Sequence, residues 1–130
     1  MPKKKKKPKE VRLVAAVGTV RERVWMQRGD KKLFGGLWGV PMLPIDKEDE
    51  TPRRRAALAK SALRQAGVTG RAPELRGSIE HVLSHRHMFV DVFQVKAARA
   101  EESAELRAVT QEEMKALGVA TLTRKILALL

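Results

Sequence analysis

The chain has 130 residues, and its 27 lysines and arginines against 15 aspartates and glutamates give a formal net charge of +12. It has no cysteine, which excludes disulfides, thiol catalysis and an iron–sulfur cluster within the chain. The length suits one domain with its own core, no apolar run approaches the roughly 18 residues of a membrane span, and the charge favours a polyanionic partner such as a nucleic acid over a merely solvated surface.

The first ten residues differ in composition from the rest of the chain. They contain six lysines, two prolines and one glutamate, a basic low-complexity pattern that predicts a disordered linker or tail. Such a segment binds phosphates without sequence preference. Its candidate phosphate contacts are Lys3, Lys4, Lys5, Lys6 and Lys7. We expect residues 11–130 to form the folded domain, and we expect no membrane partner.

Two β-branched apolar runs open that domain. Val11–Val17 and Val20–Gln27 predict a pair of strands, with Gly18-Thr19 as the break between them. Three shorter segments follow: a polar loop with glycines (28–36), a short apolar run (37–43) and an acidic loop (44–52).

A helix is the clearest predicted element. Thr51 is a favoured N-cap, Pro52 suits a first turn, and Gly67 is a C-terminal stop, so the pattern predicts a helix over Arg53–Ala66. The period of an α-helix gives it two distinct faces. The apolar face comprises Leu58, Ala62 and Ala66, and the basic face comprises Arg53, Lys60 and Arg64. The basic face is either a set of candidate phosphate contacts or a solvated surface.

The second half of the chain alternates strands and short helices. Glu74–Leu83 and Arg86–Ala97 predict two strands joined at Ser84-His85, and the second is apolar on both faces, as in a central strand. The remaining predicted elements are a strand over Leu106–Val109 and helices over Gln111–Leu117 and Thr121–Leu130. The expected fold class is α/β (α+β), a mixed sheet with one long helix packed on it and short C-terminal helices.

All three histidines fall in one short segment, at His81, His85 and His87. Odd-numbered residues of one extended strand share a face, so a three-histidine metal site is geometrically conceivable. The predicted turn at Ser84-His85 would break that common face. We therefore expect no metal here, and histidines that are half packed and half solvated.

The order of two strands, the apolar segment Leu33–Pro41, an acidic loop and a helix resembles a Nudix domain. That resemblance implies a helix whose glutamates hold a divalent metal for hydrolysis of a nucleoside diphosphate linkage. Here residues 51–68 contain no aspartate or glutamate. The positions that match the family's glutamates are Ser61, Arg64 and Gln65. The resemblance therefore implies the Nudix fold, whereas the missing glutamates argue against the hydrolase chemistry. We expect no catalytic residue and no bound metal.

Within that frame the chain, from Val11 through the last helix, is similar to the C-terminal domain of the A/G-specific adenine DNA glycosylases, the MutY family. That family contacts damaged guanine through a His-x-Phe-Ser-His turn, which here is His-Val-Leu-Ser-His over His81–His85. The resemblance implies base-excision DNA repair, with this domain recognising 8-oxoguanine opposite adenine in double-stranded DNA. The partner it implies is an N-terminal catalytic domain that is helical, carries an iron–sulfur cluster and excises the adenine; no cofactor is implied for the present domain.

The chemistry of the lesion suggests roles for three residues of this turn and for the residue that follows it. 8-Oxoguanine differs from guanine in its C8 carbonyl and in an N7 that donates a hydrogen bond. The Ser84 hydroxyl can accept from N7–H, and His85 can offer a ring or backbone N–H. Leu83, where phenylalanine is common in the family, is an apolar wedge for parting base steps. Arg86 is expected to meet a phosphate.

Two other functions stay open from the residues alone. One is a Mg²⁺-dependent Nudix hydrolase of oxidised nucleotides, which the missing helix carboxylates disfavour. The other is a basic RNA- or ribosome-binding domain, which the absence of tyrosine and of a pattern of exposed aromatics disfavours. For the DNA-repair hypothesis we expect a monomer that is cytoplasmic and associated with the nucleoid, or nuclear in a eukaryote.

Overall fold

The computed structural model describes residues 9–28, 36–46, 51–83 and 85–130, and of Leu83 it describes the backbone alone. The strands in these residues are β1 (Lys9–Val20), β2 (Arg23–Arg28), β3 (Trp38–Gly39), β4 (Met42–Pro44), β5 (Glu74–Leu83), β6 (Arg86–Val95) and β7 (Leu106–Val109). The helices are α1 (Pro52–Gln65), α2 (Gln111–Ala116) and α3 (Thr121–Leu127). None of these helices is long and apolar enough to cross a membrane. The predicted contacts Lys3, Lys4, Lys5, Lys6, Lys7 and Ser84 lie outside the described residues.

All seven strands join in one mixed sheet, which gives the predicted α+β class. Strands β1 and β6 run parallel, from the pair Lys9 and Arg86 to the pair Gly18 and Val95. Strand β5 pairs antiparallel with the other side of β6. Strand β6 therefore lies inside the sheet. This position confirms the prediction of a central strand, which was based on the apolar residues on both of its faces. Beyond β1, β4 pairs with its middle and β2 with its last residues, and β2 then pairs with β3 and β7.

The predicted break at Gly18-Thr19 is wrong. Strand β1 continues through both residues, and the chain reverses at Arg21-Glu22, where Arg21 has a φ of 53°. Gly18 is needed for close packing instead of turning, because a Cβ at that position would lie 3.0 Å from the Cβ of Ala98. A packing contact with a residue distant in sequence therefore explains the glycine at position 18, and a local turn does not.

Helix α1 begins and ends as its capping residues predict. The Thr51 hydroxyl accepts a hydrogen bond from the backbone N–H of residue 54. At the other end Gly67 has a φ of 88°, and Val68 N–H donates to the carbonyl of Leu63 over 2.8 Å. This is a Schellman motif, in which glycine is favoured because its φ is positive.

Helix α1 covers one face of the sheet, which we call the α1 face. Its buried residues are Ala59, Ala62 and Leu63, so the predicted apolar face is rotated by about one residue, with Leu58 and Ala66 half-buried at its margin. The sheet residues beneath the helix include Val14, Ala16, Phe93 and Val95. They identify the even residues of β1 and the odd residues of β6 as the α1 face.

Helix α3 covers the opposite face of the sheet, which we call the α3 face. Leu122 and Ile126 of the helix are completely buried against this face. The sheet residues that they contact include Ala15, Val17, Val90 and Val92. Because side chains alternate along a strand, every residue of β1 and β6 can be assigned to one face or the other.

Candidate nucleic-acid interface

The hairpin of β5 and β6 presents the segment that resembles a lesion-recognition turn. Leu83 pairs with Arg86, so Ser84-His85 is a two-residue connection, as in the tightest hairpins. The predicted junction of the two strands is thereby confirmed. His85 and Arg86 are exposed, whereas Ser84 and the side chain of Leu83 lie outside the described residues.

The start of β1 lies beside this turn. Strand β1 begins at Lys9, two residues before the predicted strand and inside the segment predicted to be disordered. The backbone N–H of Lys9 donates to the carbonyl of His85 over 3.2 Å. The basic segment 1–8 therefore joins the domain next to the turn.

On the α1 face, the end of the sheet near the turn carries a group of aromatic and charged side chains. The His87 and Phe89 rings stack with centroids 4.3 Å apart, and the Arg12 guanidinium lies 5.9 Å from the Phe89 centroid. The His87 Nε2 is 3.1 Å from a carboxylate oxygen of Glu80. Phe89 is half-buried.

Farther from the turn on the same face, Asp91 connects β6 to the helix and to β5. Its carboxylate accepts from Arg55 Nη1 and from Ser78 Oγ, each over 2.6 Å. An open cavity of about 270 Å³ lies between this pair and Phe89. The Arg55 Nε is buried without a hydrogen-bond partner. We call the whole set the α1-side network: Arg12, Arg55, Ser78, Glu80, His87, Phe89 and Asp91.

On the α3 face, the same end of the sheet carries basic groups. Lys125 Nζ donates to His81 Nδ1 over 3.0 Å, which requires that nitrogen to be unprotonated. Partial burial, and then the positive charge of Lys125, lower the pKa of His81 below its usual 6.5. Lys9 and Arg86 lie on this face too, because they alternate with residues of the α3-side core. We call Lys9, His81, Arg86 and Lys125 the α3-side cluster.

The three histidines do not come together. His81 is on the α3 face, His87 is on the α1 face, and His85 is in the turn between them. Within the described ranges, no group of three His, Asp or Glu side chains is arranged to hold a metal ion. A shared three-histidine ligand set is incompatible with this geometry.

Helix α1 does not fit a divalent metal. Its first turn has no acidic residue, and Arg53, Lys60 and Arg64 are exposed along one side, as the helical period predicts. Mg²⁺ needs hard oxygen ligands, usually carboxylates. Ser61 and Gln65 offer neutral oxygens at most, and Arg64 places a cation among them.

The sequence patterns did not identify Arg12 or Lys125 as neighbours of the β5–β6 hairpin. Arg12 lies beside Phe89 because β1 is parallel to β6, and Lys125 lies beside His81 because α3 folds back over β5. The available signal was weak: the last helix has two adjacent basic residues, and no aspartate or glutamate follows Glu113. Neither pattern says which strand the helix will cover.

Comparison with known families places the fold. Residues 14–129 match the family model described as NUDIX domain. A search of the curated proteins found no match.

Solved structures share this fold at low sequence identity. The C-terminal domain of mouse MUTYH, solved in complex with human PCNA, superposes with a TM-score of 0.72 at 19% identity, over 93% of this chain and 87% of that chain. The NUDIX domain of Shewanella oneidensis NrtR, solved with ADP ribose, gives 0.71 at 14% identity, over 99% and 90%. The MutT protein from Methanosarcina mazei Go1 gives 0.70 at 14% identity, over 93% and 92%. Identities this low establish the fold and leave the function open.

Proposed function

The chain belongs to the NUDIX domain family, and on that premise we propose that it is a non-hydrolytic DNA-lesion recognition domain. It binds duplex DNA that contains 8-oxoguanine opposite adenine. In that role it works with a separate catalytic domain that removes the adenine, and it needs no cofactor of its own.

The observation that carries this proposal is the position of the β5–β6 turn. The turn is a two-residue hairpin at an exposed end of the sheet, with the exposed basic residues Arg86 and Lys9 in register next to it. A tight turn can approach the edge of a base, and flanking cations can hold phosphates. In this proposal the Ser84 hydroxyl accepts from N7–H of the lesion, and His85 donates to O8.

The donor set of α1 supports the non-hydrolytic part of the proposal. Hydrolysis of a diphosphate in this family's manner requires metal-bound oxygens, and α1 presents Arg53, Lys60 and Arg64 instead.

A second candidate is a Nudix hydrolase of oxidised nucleotides. It is favoured by the cavity beside Phe89, which has the cations Arg12 and Arg55 in its lining and a volume close to the lower end for small-molecule sites. Pyrophosphate release from 8-oxo-dGTP with and without Mg²⁺ separates the two candidates. Metal-dependent turnover would support the hydrolase and contradict the recognition domain.

The turn is tested by competition binding at fixed salt, with duplexes that contain 8-oxoguanine·adenine or guanine·adenine. Ser84→Ala removes one hydrogen bond worth about 0.5–1.5 kcal/mol, so the preference for the lesion should fall by about 2–10-fold. Ser61→Ala, an exposed serine on α1, is the matched control and should leave the preference unchanged. If a folded Ser84→Ala, His85→Ala double variant keeps the full preference, the turn does not recognise the lesion.

A further inference from the structure

The α3-side cluster joins four elements at one end of the sheet. Lys9 is on β1, Arg86 on β6, His81 on β5 and Lys125 on α3. Adjacent strands are about 4.8 Å apart, so the three strand residues span roughly 10 Å across the sheet, and His81, which pairs with Met88, is two residues farther along the strands than Arg86. The cluster therefore lies on one face of the sheet at the end next to the turn, with Lys125 in contact with His81.

No described carboxylate on the strands of this face compensates the cluster. Glu10 and Glu80 have the opposite parity and lie on the α1 face, where Glu80 contacts His87. The strand residues that share the α3 face near the cluster, Val11, Ile79 and Met88, are apolar. Helix α3 adds Arg124 and no acidic residue. Partial burial, and then the positive charge of Lys125, lower the pKa of His81.

The side chain of Lys125 and the backbone of Lys9 are held in place before any ligand binds. Lys125 is fixed by its hydrogen bond to His81, and Lys9 is fixed at its backbone by the bond to His85. Ordered side chains lose less conformational entropy when they bind. The α1-side network differs, because its Arg55 is already engaged by a carboxylate.

We propose that the α3-side cluster holds the phosphate backbone of the duplex while the β5–β6 turn contacts the lesion. This inference rests on the proposed function and adds which side of the turn the duplex contacts. The duplex passes over the α3 side of the turn, and Lys9 and Lys125 are phosphate contacts. These contacts position the DNA and carry no base preference.

The test is the salt dependence of binding of the full chain to the 8-oxoguanine·adenine and guanine·adenine duplexes. The variant Lys9→Gln, Lys125→Gln should bind both duplexes more weakly by the same factor. Its slope of log K against log salt should be shallower by about 0.9 for each phosphate that the protein no longer neutralises, or about 1.8 for two. The preference for the lesion duplex should not change.

The matched control is Arg71→Gln, Arg99→Gln, which removes the same charge from exposed residues at the other end of the sheet. This control should keep the wild-type slope, and Lys125→Arg, which keeps the charge, should keep it too. Equal slope changes in both double variants, or no change in either, would overturn the proposal. Tighter binding to an RNA duplex of the same sequence would also overturn it.

The same measurements separate the two proposals. A wild-type chain without lesion preference contradicts the proposed function, and the slopes of the two double variants still decide the role of the cluster. A wild-type preference together with unchanged slopes keeps the turn and removes the cluster.

Discussion

Near the β5–β6 turn, opposite charges are paired on one face of the sheet, whereas like charges share the other face. On the α1 face, Arg55 contacts Asp91 and His87 contacts Glu80. On the α3 face, Lys9 and Arg86 are in register and Lys125 contacts His81, without a described carboxylate among them. Paired and partly buried charges contribute to the fold, whereas clustered like charges raise its free energy and attract anions. We infer that the first arrangement is structural and the second serves binding.

The largest effect that tests this comparison is on stability. Asp91→Ala leaves Arg55 without its partner, and exposed fractions of 26% for Arg55 and 16% for Asp91 mean that water compensates only in part. We expect a decrease of about 2–3 kcal/mol in the free energy of unfolding, below the cost of breaking a fully buried pair. Urea denaturation measures it.

The matched control for this decrease is an exposed carboxylate. Glu74→Ala removes a side chain that bridges Arg76 and Lys96 on the surface and is 53% exposed, so the cost should be below about 1 kcal/mol. Equal decreases in the two variants would show that the Asp91 pair is no more structural than a surface contact.

The next effect concerns the β5–β6 turn, at the end of the sheet where both groups of charges lie. Leu83→Phe introduces an aromatic ring where leucine can only wedge between bases. Stacking is worth about 1–3 kcal/mol per base, so affinity for the 8-oxoguanine·adenine duplex should rise at least several-fold. Competition binding against the wild type measures the change, and weaker binding of the lesion duplex would contradict the base contact proposed for residue 83.

A smaller effect concerns the pH dependence of stability. The pKa of His81 is lower in the folded than in the unfolded chain. Below about pH 6.5 the unfolded chain therefore binds more protons than the folded chain. The contribution of His81 to stability is therefore present above that pH and is lost as the pH falls towards the folded pKa. His81→Gln, which keeps an acceptor for Lys125, should make the stability profile flatter below pH 6.5 in denaturation series. A profile identical to the wild type would mean that neither partial burial nor Lys125 lowers the pKa of His81 in the folded chain.

The smallest expected effect is none at all. Mg²⁺ at constant ionic strength should leave the melting temperature unchanged, because α1 offers cations where a metal needs oxygens. Thermal denaturation with Mg²⁺ and with a matched concentration of a monovalent salt measures the difference. A Mg²⁺-specific rise would show that the folded chain binds the metal and would contradict the non-hydrolytic proposal.

Sequence patterns anticipated elements whose signals are local. Thr51 and Gly67 bound α1 because capping is decided by the few residues at each end. The β5–β6 junction at Ser84-His85 followed from two strand patterns separated by two residues. The same logic failed at Gly18, where the glycine answers a contact with Ala98, a residue far away in the chain.

The sequence by itself determined the basic charge, the helix without carboxylates, and the turn with its candidate lesion contacts. The tertiary structure alone decided what lies around that turn. The parallel pairing of β1 with β6 brings Lys9 to His85, and the packing of α3 on the sheet brings Lys125 to His81. Strand order and helix placement depend on contacts between residues distant in sequence, which side-chain periodicity does not encode. The sequence therefore shows each residue of the α3-side cluster, but it does not predict that they lie on one face of the sheet.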